Sequence, residues 1–198
     1  MHRVRSKWGL LHDLDECELV AYSGCTNRNT AIALLNHLRK ANPSAKFAVH
    51  RDRDFLTQDE LDDYRQKMES MNVKVFFPIG NDVESHFITA AHVAAVCNVD
   101  ESIASEVIAS AFVARKDELL ERYVNTRIEN EKRAGRQINA GQISVEATTL
   151  LTGPTSQAVH GKLMLKAIRH ELQSRGITGN LISFSPTLAT QDLKNLWP

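Results

Sequence analysis

The chain has 198 residues, 42% of them hydrophobic and 24% charged, and its 24 basic residues balance its 24 acidic ones. This composition is typical of a globular domain with a core of its own, and the zero net charge excludes a global positive field that would attract nucleic acid. Cys17, Cys25 and Cys97 form neither a disulfide framework nor a zinc motif, so we expect a cytoplasmic protein. No apolar run is long enough to span a membrane.

The first eighty residues predict strands that alternate with helices. Short apolar runs bounded by turn residues indicate buried strands, and the segments between them have helical spacing. Thr57 followed by Glu60 predicts a capping box at the start of the second helix. Strands joined by short connections and crossover helices predict a parallel sheet. The predicted strands are 18–22, 46–50 and 73–77, and the predicted helices are 30–40 and 57–71.

The pattern changes in the second half of the chain. Residues 85–150 have mostly helical spacing, and we interpret them as a helical insertion within a single domain that spans 1–198. An apolar stripe predicts a helix over 156–175, and a final apolar run predicts a fourth strand at 180–184. The predicted fold class is therefore α/β, with a Rossmann-like central parallel sheet flanked by helices and a helical insertion.

Acidic residues follow two of the predicted strands. Asp52 and Asp54 lie two positions apart after one strand, and Glu84 follows the next. Alternate residues of a strand point the same way, and open α/β sheets bind ligands at the carboxyl ends of their strands. Carboxylates held close together repel one another unless a cation separates them, and Mg²⁺ or Mn²⁺ suits oxygen ligands. Two alternatives stay open: a solvated turn after the strand at 46–50, and helix capping by Asn81 or Asp82 with Glu84 in the first turn.

Three further features are candidate functional sites. Ser23-Gly24 after the first strand is either a tight turn or a backbone loop beside a phosphate. Lys162, near the start of the late helix, is either a solvated lysine or a cation that stabilises charge on a scissile phosphate. A basic patch in the predicted insertion is either a salt-bridged helix face or a path for nucleic acid. Its members are Arg127, Lys132, Arg133 and Arg136, with Glu129 and Glu131 between them.

In combination, these motifs resemble the Toprim domain shared by topoisomerases, bacterial primases and OLD-family nucleases. Asp52-Arg53-Asp54-Phe55 resembles the Asp-x-Asp motif of that family, and the segment 82–87 loosely resembles its acidic helix-opening motif. Gly161-Lys162 resembles its late Gly-Lys pair. One departure is that Ser23 aligns with the first-strand glutamate of the family and supplies no carboxylate. The resemblance covers most of residues 18–185.

The resemblance implies a Mg²⁺- or Mn²⁺-dependent nuclease that cleaves nucleic-acid phosphodiesters as a subunit or effector of an anti-phage defence system. The alternative that it implies, because of Ser23, is a catalytically altered or inactive scaffold or sensor subunit. The partners implied are DNA or RNA (phage nucleic acid or transfer RNA), a separate ABC-type ATPase chain and further copies of this chain. The metal ligands implied are Asp52, Asp54 and Glu84, the catalytic residues are these three and Lys162, and Ser23 and Gly24 line the cofactor site.

Overall fold

Helices make up most of the fold. A computed structural model describes residues 20–21, 28–155 and 157–188. Within these ranges the chain forms two short strands, a 3-10 helix and six α-helices. In chain order the elements are α1 (Arg28–Ala41), β1 (Ala48–His50), α2 (Gln58–Glu69), β2 (Lys74–Phe76), the 3-10 helix (Val83–Phe87), α3 (Ala90–Cys97), α4 (Glu101–Arg133), α5 (Ala140–Leu150) and α6 (Gly161–Ser174).

The sheet of the described residues has two strands. β1 and β2 pair in parallel, with Val49 opposite Val75. The predicted Rossmann-like central sheet flanked by helices is therefore wrong, since a two-stranded ribbon among helices is not such a sheet. These two strands do pair in parallel, as predicted. The helix α2 between them supplies the crossover connection that a parallel pair needs.

The predicted strand at 180–184 is also wrong. These residues form turns and irregular backbone. The Nε2 atom of buried His92 lies 2.8 Å from the Leu181 carbonyl oxygen. Because a carbonyl oxygen can only accept a hydrogen bond, Nε2 carries the proton. A side chain thus satisfies a backbone group that a neighbouring strand would otherwise satisfy. Of the predicted strand 18–22, residues 20 and 21 are not in a strand, and the other residues lie outside the described ranges.

The first half of the described chain packs helices α1 and α2 on the strand pair. α2 begins with the predicted capping box, because the Thr57 hydroxyl accepts from the Glu60 amide and the Glu60 carboxylate accepts from the Thr57 amide. This cap fixes where α2 starts, directly after the acidic loop that follows β1. The buried side chains of this cluster are Leu35, Val49, Leu61, Tyr64, Met68, Val73 and Phe77.

The second half is a helical cluster built around α4. This 33-residue helix packs against α3, α5 and α6 through buried positions at helical spacing, such as Ala104, Val107 and Ala111. α6 is anchored by Met164 and Ile168, which are both 0% exposed. Burying a side chain of this size stabilises a fold by about 1.5–3 kcal/mol, so the start of α6 is held firmly against the rest of the domain.

The division into one domain, 1–198, with a helical insertion over 85–150 stays a prediction. Helices α3, α4 and α5 lie in that range, and they share a hydrophobic cluster with α6. None of the helices in the described ranges is both long enough and apolar enough to cross a bilayer.

Candidate active site at the carboxyl ends of the strands

Acidic side chains from two connected segments converge on one lysine. The Lys162 Nζ atom lies 3.7 Å from Asp52 Oδ2 and 3.9 Å from Glu84 Oε2. Asp52 follows β1, Glu84 lies in the 3-10 helix after β2, and Lys162 is in the first turn of α6. The structure thus brings together three of the four residues that the sequence predicted to be catalytic. We call Asp52, Asp82, Glu84 and Lys162 the acidic cluster.

Within this cluster, Asp52 is ionised and has hydrogen-bonding and charged partners. Its Oδ1 accepts from the Val83 amide at 3.2 Å and lies 3.3 Å from His50 Nε2. Burial acts to raise the pKa of Asp52, but the hydrogen bond and charge of His50, the charge of Lys162 and the Val83 amide together lower it. The carboxylate is therefore negative at neutral pH and is available to a cation.

Asp54 reaches the site by a turn and not along a strand. β1 ends at His50, and Asp54 and Phe55 adopt left-handed backbone angles, with φ of 47° and 57°. The expectation that a strand projects Asp52 and Asp54 side by side is therefore wrong. Burial lowers the pKa of Lys162 and the neighbouring carboxylates raise it, with the charge of Asp54 the smallest of these contributions. The left-handed region costs about 1–2 kcal/mol for each non-glycine residue.

Asn81 holds this turn from the β2 side. Its carbonyl accepts from the Arg53 amide at 2.8 Å, and its side-chain oxygen accepts from the Phe55 amide at 2.7 Å. Asn81 is itself buried. The two segments that follow β1 and β2 are therefore tied together beside the acidic cluster.

Asp82 is a member of the cluster that the sequence predictions did not include. It is 2% exposed, and its carboxylate accepts from the Ser85 hydroxyl at 3.0 Å and from the Lys162 amide at 3.4 Å. Burial raises the pKa of Asp82, and the charge of Asp52 adds to this effect, while His160 opposes it. Asp82 occupies the N-cap position of the 3-10 helix and Glu84 lies in its first turn, as the capping interpretation expects, but the Asp82 side chain makes no capping bond to that helix. Its nearness in sequence to Glu84 was the available signal.

Glu84 points into the protein and not to bulk solvent. Its side chain is 12% exposed, and no hydrogen bond reaches its buried Oε2 atom. Burial raises the pKa of Glu84, and repulsion from Asp82 and Asp52 raises it further, while Lys162 acts in the opposite direction. A buried acceptor without a hydrogen-bond donor is costly, and the Lys162 ammonium group, 3.9 Å away, offers this oxygen a charge but no hydrogen bond.

Glycine at the start of α6 permits the close approach that creates the cluster. A Cβ atom on Gly161 would lie 2.5 Å from the Ser85 amide nitrogen and 2.9 Å from the Glu84 carbonyl carbon, and it would overlap the Asp82 carboxylate. His160 caps α6, since its Nδ1 accepts from the Leu163 amide at 3.3 Å. Only glycine therefore lets the next residue, Lys162, approach the two carboxylates.

The acidic cluster suits a cation that is only partly held by protein. In the described part of the chain, no group of three or more His, Cys, Asp or Glu side chains is arranged to hold a metal ion. Mg²⁺, however, usually binds through one or two carboxylates and completes its shell with water and substrate phosphates. Asp52 and the unbonded oxygen of Glu84 fit that pattern. Ser23 and Gly24, which were predicted to line the site, lie outside the described residues.

Within the described residues, three of the four basic side chains of the predicted patch form salt bridges, including Lys132 with Glu129, and Arg133 is exposed. Arg127 is 5% exposed and pairs with Glu60 and Glu131. Arg136 pairs with the same two carboxylates. These cations are neutralised within the protein, so the salt-bridged interpretation is favoured over a path for nucleic acid.

Comparison with models of known protein families, with curated proteins and with solved structures finds no match to this chain. The resemblance to Toprim proteins therefore stays a prediction from short motifs, and the argument for function depends on the arrangement of the side chains.

Proposed function

We propose that this chain is a divalent-metal-dependent nuclease that acts through the acidic cluster. The supporting observation is the convergence of the Asp52 and Glu84 carboxylates on the Lys162 ammonium group and of Asp82 on the Lys162 amide. Partly buried carboxylates that repel one another are a poor way to stabilise a fold, because their desolvation and repulsion oppose folding. Titratable groups with perturbed pKa values that cluster in this way are typical of functional sites.

Asp52 and Glu84 are the proposed first ligands of Mg²⁺ or Mn²⁺, and Asp54 is the proposed third. A bound ion of this kind polarises a phosphate oxygen and acidifies water, which is the chemistry that phosphodiester hydrolysis needs. Asp82 has a different role, because it bonds the Lys162 amide and so orients the start of α6 toward the other carboxylates.

Lys162 is the proposed electrostatic catalyst. Its side chain is 56% exposed, and lysine carries its charge on a flexible four-carbon stem. The ammonium group could therefore swing from Asp52 and Glu84 toward an incoming phosphate, and these two carboxylates would then be available to hold the metal ion. In that position it stabilises the negative charge that builds up on the phosphate in the transition state.

The test is cleavage of supercoiled plasmid, single-stranded DNA and RNA by the purified chain in the presence of Mn²⁺. We expect Mn²⁺-dependent cleavage that excess EDTA abolishes and that Asp52→Ala removes. Asp62→Ala is the matched control, because Asp62 is 55% exposed on α2 and should retain full activity. Cleavage that persists in EDTA, or that survives Asp52→Ala, would contradict the proposal.

The second candidate is a non-catalytic subunit that binds an ATPase partner. Lys162 already pairs with Asp52 and Glu84, which favours this candidate because the ammonium group already offsets part of the charge of these two carboxylates without a metal ion. Inactivity of the wild type, both alone and with an ATPase partner, would favour it over the nuclease. A role in phage defence and a cytoplasmic location belong to both proposals and depend on the sequence resemblance and the cysteine usage.

A further inference from the structure

Helix α4 reaches across to the acidic loop that follows β1. Asn130 donates from Nδ2 to the Asp54 carbonyl at 2.9 Å, and Arg127 donates from Nη1 to the Phe55 carbonyl at 3.2 Å. Both side chains are buried, at 7% and 5% exposure. They lie three positions apart, so one face of α4 binds two successive carbonyl groups of the loop.

These two carbonyl groups belong to the residues with left-handed backbone. Asp54 and Phe55 both have positive φ, a conformation that two successive non-glycine residues adopt only when their surroundings impose it. Asn81 binds the same loop from the opposite side through its carbonyl and side-chain oxygens. The loop is therefore bound both by the segment that follows β2 and by α4.

The contact from α4 is itself fixed by a buried ion-pair network. Arg127 Nη1 lies 3.1 Å from Glu60 Oε2, and its Nη2 lies 2.6 Å from Glu131 Oε1. Glu60 is also the residue that closes the capping box of α2. Arg136, which lies after the end of α4, pairs with both carboxylates from the surface. The guanidinium group is thus held in one orientation by carboxylates from two helices, and it presents a fixed donor to the loop.

We infer that Arg127 and Asn130 are positioning residues, which set the conformation of residues 52–55 and through it the metal affinity of the acidic cluster. If the loop relaxed to right-handed backbone, Asp54 would turn away and Asp52 would leave the Val83 amide that orients it. Neither side chain needs to touch the metal for this effect. The metal part of the inference rests on the proposed function, but the loop part does not.

The test compares two variants with matched controls on the exposed face of α4. Asn130→Ala removes one loop contact, and Arg127→Lys keeps the charge but loses the fork of donors. The controls are Asn125→Ala and Arg133→Lys, because both residues are exposed. Each protein is measured by amide hydrogen exchange at Phe55 and by calorimetric titration with Mn²⁺, with exchange at Ile168 as the monitor of global unfolding.

We expect Asn130→Ala and Arg127→Lys to accelerate exchange at Phe55 without accelerating it at Ile168. We also expect them to weaken Mn²⁺ binding by about 10–100-fold, as loss of an outer contact typically does. Saturating Mn²⁺ should restore the cleavage rate of Asn130→Ala, and unchanged exchange at Ile168 in the absence of metal excludes a loss of folded protein as the cause of the weaker binding. Exchange at Phe55 equal to that of the controls would overturn the inference.

The same measurements distinguish failure of the nuclease proposal from failure of the inference about α4. If the wild type binds no Mn²⁺, the nuclease proposal is contradicted, and exchange at Phe55 alone decides whether α4 positions the loop. If the wild type binds Mn²⁺ and both variants bind it as tightly as their controls, the link between α4 and metal affinity is overturned while the nuclease proposal stands.

Discussion

Replacing Gly161 with alanine is the sharpest structural perturbation of the acidic cluster. The new Cβ atom would lie 2.5 Å from the Ser85 amide nitrogen, so α6 must move by about 1 Å to restore a normal separation of about 3.5 Å. The neighbouring atoms are backbone and a buried carboxylate, which cannot rotate away as a flexible side-chain end can. The movement carries Lys162, the next residue, away from Asp52 and Glu84.

The expected loss of stability follows from two opposing effects. Overpacking of this kind costs about 1–3 kcal/mol, whereas alanine is favoured over glycine in a helix by about 0.5–1 kcal/mol. Since the steric effect is larger, we expect Gly161→Ala to lose about 1–2 kcal/mol of unfolding free energy. In a chain of this size that lowers Tm by about 2–8 °C.

The expected effect on catalysis is larger than the effect on stability. A misplacement of about 1 Å in a catalytic group can reduce the rate about 100-fold. The assay is Mn²⁺-supported plasmid cleavage at a temperature where both proteins are folded, together with thermal unfolding. Gly153→Ala is the control, because a Cβ atom there meets nothing within 4 Å. A Gly161→Ala protein with the stability and the cleavage rate of Gly153→Ala would refute this reasoning.

Three further predictions concern the charges of the cluster. Lys162→Met should still bind Mn²⁺, because the ammonium group competes with the metal, yet it should cleave more slowly, as single-turnover kinetics would reveal. Folding raises the pKa of Glu84. The unfolding free energy of the wild type, relative to that of Glu84→Gln, should therefore fall as pH rises through the raised pKa. Urea unfolding of both proteins across pH 4–8 measures the direction of this change. A rise would contradict it. Asp52→Ala should lose about 1–3 kcal/mol at neutral pH, because the Val83 amide loses its acceptor. Since the folded state lowers the pKa of Asp52, this loss should shrink as the solution is acidified, and an unchanged difference at low pH would contradict it.

Local signals in the sequence predicted the helices of the first half well. The Thr57–Glu60 pattern gave the start of α2 because a capping box depends only on residues close in sequence. The apolar run at 180–184 was wrongly predicted to be a strand. A strand must pair with the edge of a sheet, and the sequence alone does not show whether such an edge is available. In the structure, Leu181 is buried in the helical cluster, and Phe184 is 56% exposed.

The acidic cluster was predicted in part for a similar reason. Asp52 and Glu84 could be found because both follow strands that end at the same edge. The side chains of Arg127 and Asn130 could not be linked to the site, since a buried arginine and a solvated one look alike in an isolated sequence. Only the packing of α4 across the loop shows that Arg127 binds the Phe55 carbonyl.

Calorimetric titration with Mn²⁺ is the most direct test of the claim that the acidic cluster is a metal site. We expect the wild type to give a saturable binding heat that Asp52→Ala abolishes and that Lys162→Met retains. Absence of binding heat in the wild type, or an unchanged titration in Asp52→Ala, would contradict the account.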